Sequence, residues 1–329
     1  MPSRRLPDNG GAAAAITLAC AADELARARA RAVARDLRRG GAGQAVDVLV
    51  VAAAGSDDLA AACEQVREAL RDGRADAAVL GWDALPPGPR DGLVLGAVPM
   101  RADPRDALVS PAGRVMAYLA EGARVACLER RQAAQVLRRR TDLRAFTVGG
   151  DPVAAMDRLD AGEADALVAR ACDLDWLERS DRVAEFFDTD QMIPAPGQGA
   201  LALEVREGDA RALRAVAVVH DPDTAYAVAA ERACMLRLGA AASSPVGVFA
   251  LTDGETMFIH GMAITDDGSR AARLRWTGPT RAPEEVGDTL GELLESVGAR
   301  DILAGGPLPP SIRYAERRRQ LISDLDGED

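Results

Sequence analysis

Short apolar runs alternate with helical patterns over the first quarter of the chain. Apolar runs at 13–19, 46–53 and 75–80 are separated by the helical periodicity of 23–39 and 57–71. Strands that alternate with helices form βαβ units, which build a parallel sheet with helices packed on its faces. The sequence therefore predicts an α/β lobe at the start of the chain.

A second round of the same alternation follows Pro104. Its expected strands and helices, in chain order, lie at 124–126, 130–139, 144–148, 152–161 and 164–168. After Pro222 the pattern changes to one helix, three strands and a final helix, at 222–237, 246–251, 256–264, 271–277 and 283–297. We therefore expect an α/β protein with two lobes on parallel or mixed sheets and a smaller α+β third domain.

Charge and composition argue against several kinds of partner and chemistry. The formal net charge is −11 and aromatic residues make up 3%, whereas a surface that binds nucleic acid is positive and usually presents aromatic side chains. No apolar run reaches the roughly 18 residues that cross a bilayer. The chain has no lysine, which excludes a Schiff-base lysine and a lysine-bearing P-loop. We therefore expect neither a nucleic-acid partner nor a membrane.

Histidine and cysteine are sparse and widely spaced. The two histidines, His220 and His260, have no metal-like partner at helical spacing, so we expect no metal site. The five cysteines are odd in number, which favours reduced thiols of a cytoplasmic protein over a disulfide framework. Residues 1–11 are predicted to form a disordered leader, and the alternative is export or lipidation at Cys20.

The most specific motif is the segment from Ile193 to Arg206, which reads IPAPGQGALALEVR. It closely resembles the interdomain motif of the hydroxymethylbilane synthases, also called porphobilinogen deaminases. Shorter matches to that family stand in the same order along the chain, among them RADAAV at 74–79, RADPRDA at 101–107, ERRQ at 129–132 and PVG at 245–247. The resemblance extends over nearly the whole chain.

This resemblance implies a fold in which two lobes, like those of periplasmic binding proteins, are joined to a third domain. It divides the chain into lobe 1 at 12–99 and 200–219, lobe 2 at 100–199, the third domain at 220–305 and a C-terminal tail at 306–329. The family binds its ligands in the cleft between the lobes. We therefore expect the ligand of this chain in the same interdomain cleft.

The family joins four porphobilinogen units on a dipyrromethane primer bound to one cysteine, and an aspartate stabilises the cation formed as ammonia leaves. Here Ala242 stands at the position of the cysteine and Ala84 at the position of the aspartate. Asp83 is not expected to substitute, because a shift of one residue at a strand end turns a side chain to the opposite face. We therefore expect that dipyrromethane is absent and that porphobilinogen polymerisation, the family's step in tetrapyrrole biosynthesis, is lost.

A small carboxylated molecule is the expected ligand of this divergent member, which we expect to be a monomer. The candidate ligand-binding residues are Arg130, Arg131, Arg101, Gln198, Cys20 and Cys172. Arg130 and Arg131 follow a strand and open a helix, where a guanidinium group and a helix N-terminus both favour an anion.

The alternative is an enzyme, either a residual synthase or a thiol- or metal-dependent catalyst built on the same cleft. Cys127 is the candidate nucleophile, because a thiol at a helix start beside arginine tends to have a lowered pKa. A cysteine is also a small apolar residue that packs well in an alanine-rich core. The sequence leaves both interpretations of the cysteines open.

Overall fold

The computed structural model describes residues 15–41, 45–51, 59–85 and 91–305. The expected leader at 1–11 and tail at 306–329 lie outside these residues. The described chain divides into two compact units. Of these described residues, the first unit contains those between 15 and 80 together with 91–97 and 202–220, and the second contains 81–85, 98–201 and 221–305.

Strands and helices alternate along both units. The strands are β1 (Ile16–Ala21), β2 (Val46–Val51), β3 (Ala77–Gly81), β4 (Leu93–Ala97), β5 (Asp106–Val109), β6 (Arg124–Cys127), β7 (Arg144–Thr147), β8 (Ala166–Arg170), β9 (Val183–Phe187), β10 (Leu201–Arg206), β11 (Val246–Asp253), β12 (Thr256–Ile264) and β13 (Ala271–Pro279). The helices are α1 (Glu24–Gly40), α2 (Leu59–Arg71), α3 (Arg130–Arg139), α4 (Pro152–Asp160), α5 (Ala171–Trp176), α6 (Ala210–Val216), α7 (Pro222–Leu238), α8 (Pro283–Ser296) and α9 (Ala299–Leu303).

The first unit is built on a five-stranded mixed sheet in the order β2-β1-β3-β10-β4. β1 pairs in parallel with β2 and β3, whereas β10 pairs antiparallel with β4. Leu18 of β1, Leu70 of α2 and Leu203 of β10 are fully buried. α1 begins after Asp23, whose carboxylate accepts the Ala26 backbone N–H at 2.7 Å, as an N-cap residue does.

The second unit contains another five-stranded mixed sheet, in the order β7-β6-β8-β5-β9. β6 is parallel to β7 and β8, and β5 is antiparallel to β8 and β9. Side chains alternate between two apolar clusters, one containing Leu108 and Val125 and the other Ala126 and Leu167. This period of two places one cluster on each face of the sheet. The predicted α/β class with mixed sheets is confirmed.

The remainder of the second unit carries an antiparallel sheet in the order β11-β12-β13, packed on α7 and α8. The three strands and the last long helix confirm the pattern predicted after Pro222. The two helices approach closely at Gly287, where a Cβ atom would lie 2.0 Å from the Ala230 carbonyl oxygen. None of the helices in the described ranges is long and apolar enough to cross a membrane.

Candidate functional site

The second sheet has a topological switch point between β6 and β8. From β6 the chain continues to the neighbour on one side, β7, and then returns to the other side as β8. Open α/β sheets bind ligands beyond the carboxyl ends of the strands at such a point. Glu129 lies two residues past the end of β6, and Arg170 is the last residue of β8. Both residues therefore stand where this topology favours a site.

Arg170 links two carboxylates at this point. Its Nε donates to Glu129 Oε1 at 2.6 Å and its Nη1 to Asp83 Oδ2 at 2.9 Å. Burial alone would raise the pKa of Glu129, but the positive charges of Arg170 and Arg131 more than offset it and lower that pKa. The side chains of Asp83, Glu129 and Arg170 are 31%, 22% and 17% exposed, so solvent reaches this group.

The backbone around Asp83 differs from the sequence-based expectation. Trp82 to Ala84 form a 3₁₀ turn after β3 and do not continue the strand. Successive side chains of a 3₁₀ turn are about 120° apart, so a shift of one residue does not send the side chain to the opposite face. Trp82 is buried, whereas Asp83 reaches Arg170. The local geometry that was assumed in order to exclude Asp83 was therefore wrong, although Ala84 itself supplies no carboxylate.

Arg131 is the centre of a buried polar network. Its guanidinium donates to both carboxylate oxygens of Asp106, at 2.6 and 3.1 Å, and to the Ile193 carbonyl oxygen at 2.8 Å. It also donates to Gln198 Oε1 at 3.0 Å, and its side chain is 2% exposed. The expected anion-binding role does not fit this position, because the donors already face groups of the protein itself.

Arg101 and Gln198 are likewise engaged within the second unit. Arg101 makes a bidentate contact with Glu231, at 2.6 and 3.1 Å, and its Nε donates to the Gln198 carbonyl oxygen at 2.8 Å. Gln198 is 1% exposed, and its Nε2 donates to the Pro104 carbonyl oxygen at 2.7 Å. The structure therefore gives these two predicted ligand residues a role in holding the PGQG segment.

Arg130 is the candidate arginine that solvent reaches best. It is paired with Asp266, at 2.6 and 3.0 Å, and the two side chains are 49% and 59% exposed. Its Nη1 is also 3.5 Å from the Ser243 carbonyl oxygen. Ser243 follows Ala242, so Arg130 stands beside the loop at which the family resemblance places the cofactor.

All five cysteines are buried, and none of them forms a disulfide bond. Burial raises the pKa of Cys20 to about 11 and raises that of Cys127 further. This direction is opposite to the lowered pKa expected for Cys127 at a helix start. Cys172 is 1% exposed. The cysteines therefore have the environment of packing residues, and a reactive thiolate at Cys127 is not favoured.

No group of three or more His, Cys, Asp or Glu side chains that could hold a metal ion occurs within 15–41, 45–51, 59–85 and 91–305. Arg170 and Asp106 were not predicted from the sequence. One signal in the sequence pointed to Arg170, since it lies two residues past the apolar run 164–168 and so stands at the carboxyl end of an expected strand. No such signal pointed to Asp106, because its partner Arg131 lies 25 residues away in sequence.

Two family models match this chain, one over residues 16–214 and the other over residues 225–296. Residues 16–214 match the family model described as porphobilinogen deaminase, dipyromethane cofactor binding domain, and residues 225–296 match the porphobilinogen deaminase C-terminal domain. The porphobilinogen deaminase of Syntrophotalea carbinolica is 34% identical over 248 residues, which are 75% of this chain and 79% of the relative. That of Roseiflexus castenholzii is 33% identical over 241 residues, which are 73% of this chain and 79% of the relative.

Solved structures give weaker matches. A lipoprotein of Bacillus subtilis named as methionine-binding is 15% identical, and the match covers 63% of this chain and 90% of that chain with a TM-score of 0.39. The periplasmic VFT2 domain of Bordetella pertussis BvgS is 20% identical, with 62% and 86% coverage and a TM-score of 0.38.

The family match corrects the expectation that the chain has no cofactor. The model that matches residues 16–214 is that of a dipyrromethane-binding domain, which points to dipyrromethane as the cofactor. One part of the fit fails, however. The loop from Gly239 to Ser244 contains no cysteine, and all five cysteines of the chain are buried elsewhere. The thioether link expected from the family resemblance therefore does not fit these residues.

Proposed function

Because the chain belongs to the porphobilinogen deaminase family of tetrapyrrole biosynthesis, we propose that it keeps the family's fold but not the family's polymerisation of porphobilinogen. One observation carries the proposal. Ala84, at the position of the family's cation-stabilising aspartate, has a methyl group in place of a carboxylate. The adjacent carboxylate, Asp83, is held in an ion pair with Arg170.

The loss of rate expected from the missing carboxylate supports this proposal. A preorganised charge aimed at the developing charge of a transition state is commonly worth ~10²–10³ in rate. The candidate arginines do not offset the loss, because Arg131 and Arg101 are bound to Asp106 and Glu231. A growing pyrrole product with many carboxylates needs hydrogen-bond donors that can turn toward it. These two arginines would have to break buried ion pairs to do so, which costs several kcal/mol each.

Arg130 is the candidate arginine outside these buried ion pairs, and the ligand that suits it is a small carboxylate. An ion pair between exposed side chains, such as Arg130 and Asp266, contributes only about 0–1 kcal/mol. A ligand carboxylate can therefore replace Asp266 at little cost and form the same bidentate contact. The proposal takes over the carboxylate ligand predicted from the sequence and narrows its binding residue to Arg130.

A residual synthase is the second candidate, and Asp83 is the observation in its favour. Asp83 presents a partly exposed carboxylate one residue away from the altered position. If this candidate is correct, the chain converts porphobilinogen slowly and Asp83→Asn abolishes the conversion. The thiol-dependent alternative has no comparable observation, since Cys127 is fully buried.

The experiment incubates the purified full chain with porphobilinogen and follows the linear tetrapyrrole product by mass spectrometry. The Syntrophotalea carbinolica relative, assayed in parallel, serves as the positive control. We expect no tetrapyrrole from this chain. Product formed at a rate within tenfold of the control would overturn the proposal. Slow product that disappears in Asp83→Asn would favour the residual synthase.

A further inference from the structure

β13 lies at one edge of the antiparallel sheet formed by β11, β12 and β13. Within the part of the chain that the structure describes, no strand pairs with the far side of β13. Arg273, Arg275 and Thr277 are exposed along it, whereas Leu274 and Trp276 between them are partly buried against the core of α7 and α8. A strand edge of this kind is a template on which another strand can pair.

The register of β12 and β13 shows which backbone groups face outward. Just beyond the two strands, the Thr280 N–H donates to the Glu255 carbonyl oxygen at 2.9 Å. Hydrogen-bonded pairs alternate with non-hydrogen-bonded pairs along an antiparallel ladder, so the even-numbered residues of β13 bond to β12. The backbone N–H and C=O groups of Arg275 and Thr277 therefore point away from β12, toward the open edge.

This edge lacks most of the features that prevent strands from pairing with another chain. β13 runs for nine residues, and its register with β12 continues without a bulge. Its one proline, Pro279, is the last residue of the strand. Natural proteins commonly shorten, bulge or interrupt an exposed edge strand, or place charges on it. Of these features β13 has the charges, and the sign of those charges indicates which partner fits.

The charge of this strand is positive. Residues 270–281 contain four arginines and no acidic residue, although the net charge of the whole chain is −11. Arg275 is paired with Asp190 at 2.7 Å, and the two side chains are 64% and 60% exposed. So exposed a pair contributes little to stability, and a partner's carboxylate can therefore replace Asp190. A second copy of β13 would instead place arginines against arginines, which is destabilising.

We propose that the outer edge of β13 binds an extended acidic segment of a partner protein as an additional antiparallel strand. Partner residues opposite Arg275 and Thr277 exchange backbone hydrogen bonds with them and place their side chains on the same face of the sheet. Acidic residues fit there. The intervening partner residues lie on the other face, beside Leu274 and Trp276, where β-branched apolar side chains fit.

The test uses a short, capped, fluorescently labelled peptide in which glutamate and valine alternate. Fluorescence anisotropy with the full chain at low ionic strength gives its Kd, and a peptide with lysine in place of glutamate is the charge control. N-methylation of the glutamates removes the N–H groups that would donate to β13, whereas N-methylation of the valines removes groups that point away. We expect the first modification to weaken binding at least about tenfold and the second to leave it unchanged.

Three variants test the protein side of the same contact. Thr277→Pro removes an outward N–H but no hydrogen bond to β12, a change that an edge strand tolerates, and it should weaken the peptide at least about tenfold. Arg275→Glu should weaken it about fivefold or more, because repulsion replaces an exposed attraction. Arg281→Glu lies beyond the strand, changes the net charge equally and should have a smaller effect. Near-ultraviolet circular dichroism checks that each variant is folded.

Amide hydrogen exchange then locates the bound peptide, and we expect slower exchange within residues 271–279. Failure of the glutamate peptide to bind, or equal affinity for the lysine peptide, overturns the proposal. Binding that survives both N-methylation of the glutamates and Thr277→Pro overturns it as well, because the contact would then not be a strand pairing. Analytical ultracentrifugation tests the other occupant of the edge: a dimer that Thr277→Pro dissociates would assign the edge to a second copy of the chain and refute an acidic partner.

Discussion

Replacing Arg131 by alanine should destabilise the protein strongly, whereas the same change at its neighbour Arg130 should not. Arg131 is 2% exposed and Asp106 is 0% exposed, and two hydrogen bonds of 2.6 and 3.1 Å join them. In Arg131→Ala, Asp106 keeps only the neutral amides of Gln132 at 2.7 Å and Gln198 at 3.3 Å. A buried charge without its partner costs about 3–5 kcal/mol.

Arg130 is the matched control, because it lies on the same helical turn and carries the same side chain. Its pair with Asp266 is 49% and 59% exposed, and exposed pairs contribute about 0–1 kcal/mol. Urea unfolding at pH 7, followed by tryptophan fluorescence, measures both changes. We expect the midpoint to fall for Arg131→Ala by at least three times the shift for Arg130→Ala, at an unchanged denaturant slope.

A second variant tests the cause of the loss. Replacing both Arg131 and Asp106 by leucine removes the unpaired charge, and exchange of a buried ion pair for apolar residues is often neutral or stabilising. The double variant should therefore be more stable than Arg131→Ala. Equal stability of Arg131→Ala and Arg130→Ala would refute the reasoning, since it would mean that the burial of this network contributes nothing to folding.

Three further predictions concern other parts of the molecule. Burial lowers the pKa of His260 to about 4 despite the contact with Asp190, whose exposed charge is screened by solvent. As the pH falls, the unfolded chain therefore binds a proton at this histidine before the folded protein does. The free energy of unfolding should fall by about 3 kcal/mol between pH 6.5 and 4. Urea midpoints across this range should be flatter in His260→Asn, and identical profiles would contradict the assignment. Because burial raises the pKa of Cys127, a thiol reagent should modify it only after unfolding, and labelling of Cys127 within seconds in the folded protein would be contrary to this. Gly287→Ala places a Cβ atom 2.0 Å from a carbonyl oxygen of α7 and should lower the free energy of unfolding by about 1–3 kcal/mol. Gly150→Ala is the control, because its Cβ atom meets nothing within 4 Å. Equal melting temperatures of the two variants would disprove the close helix contact.

The pattern of apolar runs was sufficient for the long elements of the fold. The strands expected at 246–251, 256–264 and 271–277 correspond to β11, β12 and β13, because long amphipathic strands repeat their period often enough to be recognised. β4, β5, β9 and β10 were not predicted as strands. They have four to six residues, and so short a run cannot be assigned by periodicity alone. β6 and β7 are equally short, but they were predicted because a long helical pattern separates them.

The site was harder to predict because contacts between distant residues decide it. An arginine at a helix start is typical of an anion site, and Arg131 was therefore predicted to bind the ligand. Its partner Asp106 comes from another strand and converts it into a structural residue. Similarly, the expectation that Asp83 faces away assumed a strand, whereas residues 82–84 form a 3₁₀ turn. The capping box formed by Glu129 and Gln132, in contrast, is a local pattern, and it can be recognised in the segment ERRQ.

The rate of ammonia release from porphobilinogen tests the central claim most directly. Ammonia leaves at the step that the missing carboxylate at position 84 would assist, so this measurement does not depend on completion of a tetrapyrrole. The full chain and the Syntrophotalea carbinolica relative are compared at equal concentration. The account predicts that release by this chain is at least ~10²-fold slower than by the relative. Release at a comparable rate would contradict the claim that the chain has lost porphobilinogen polymerisation.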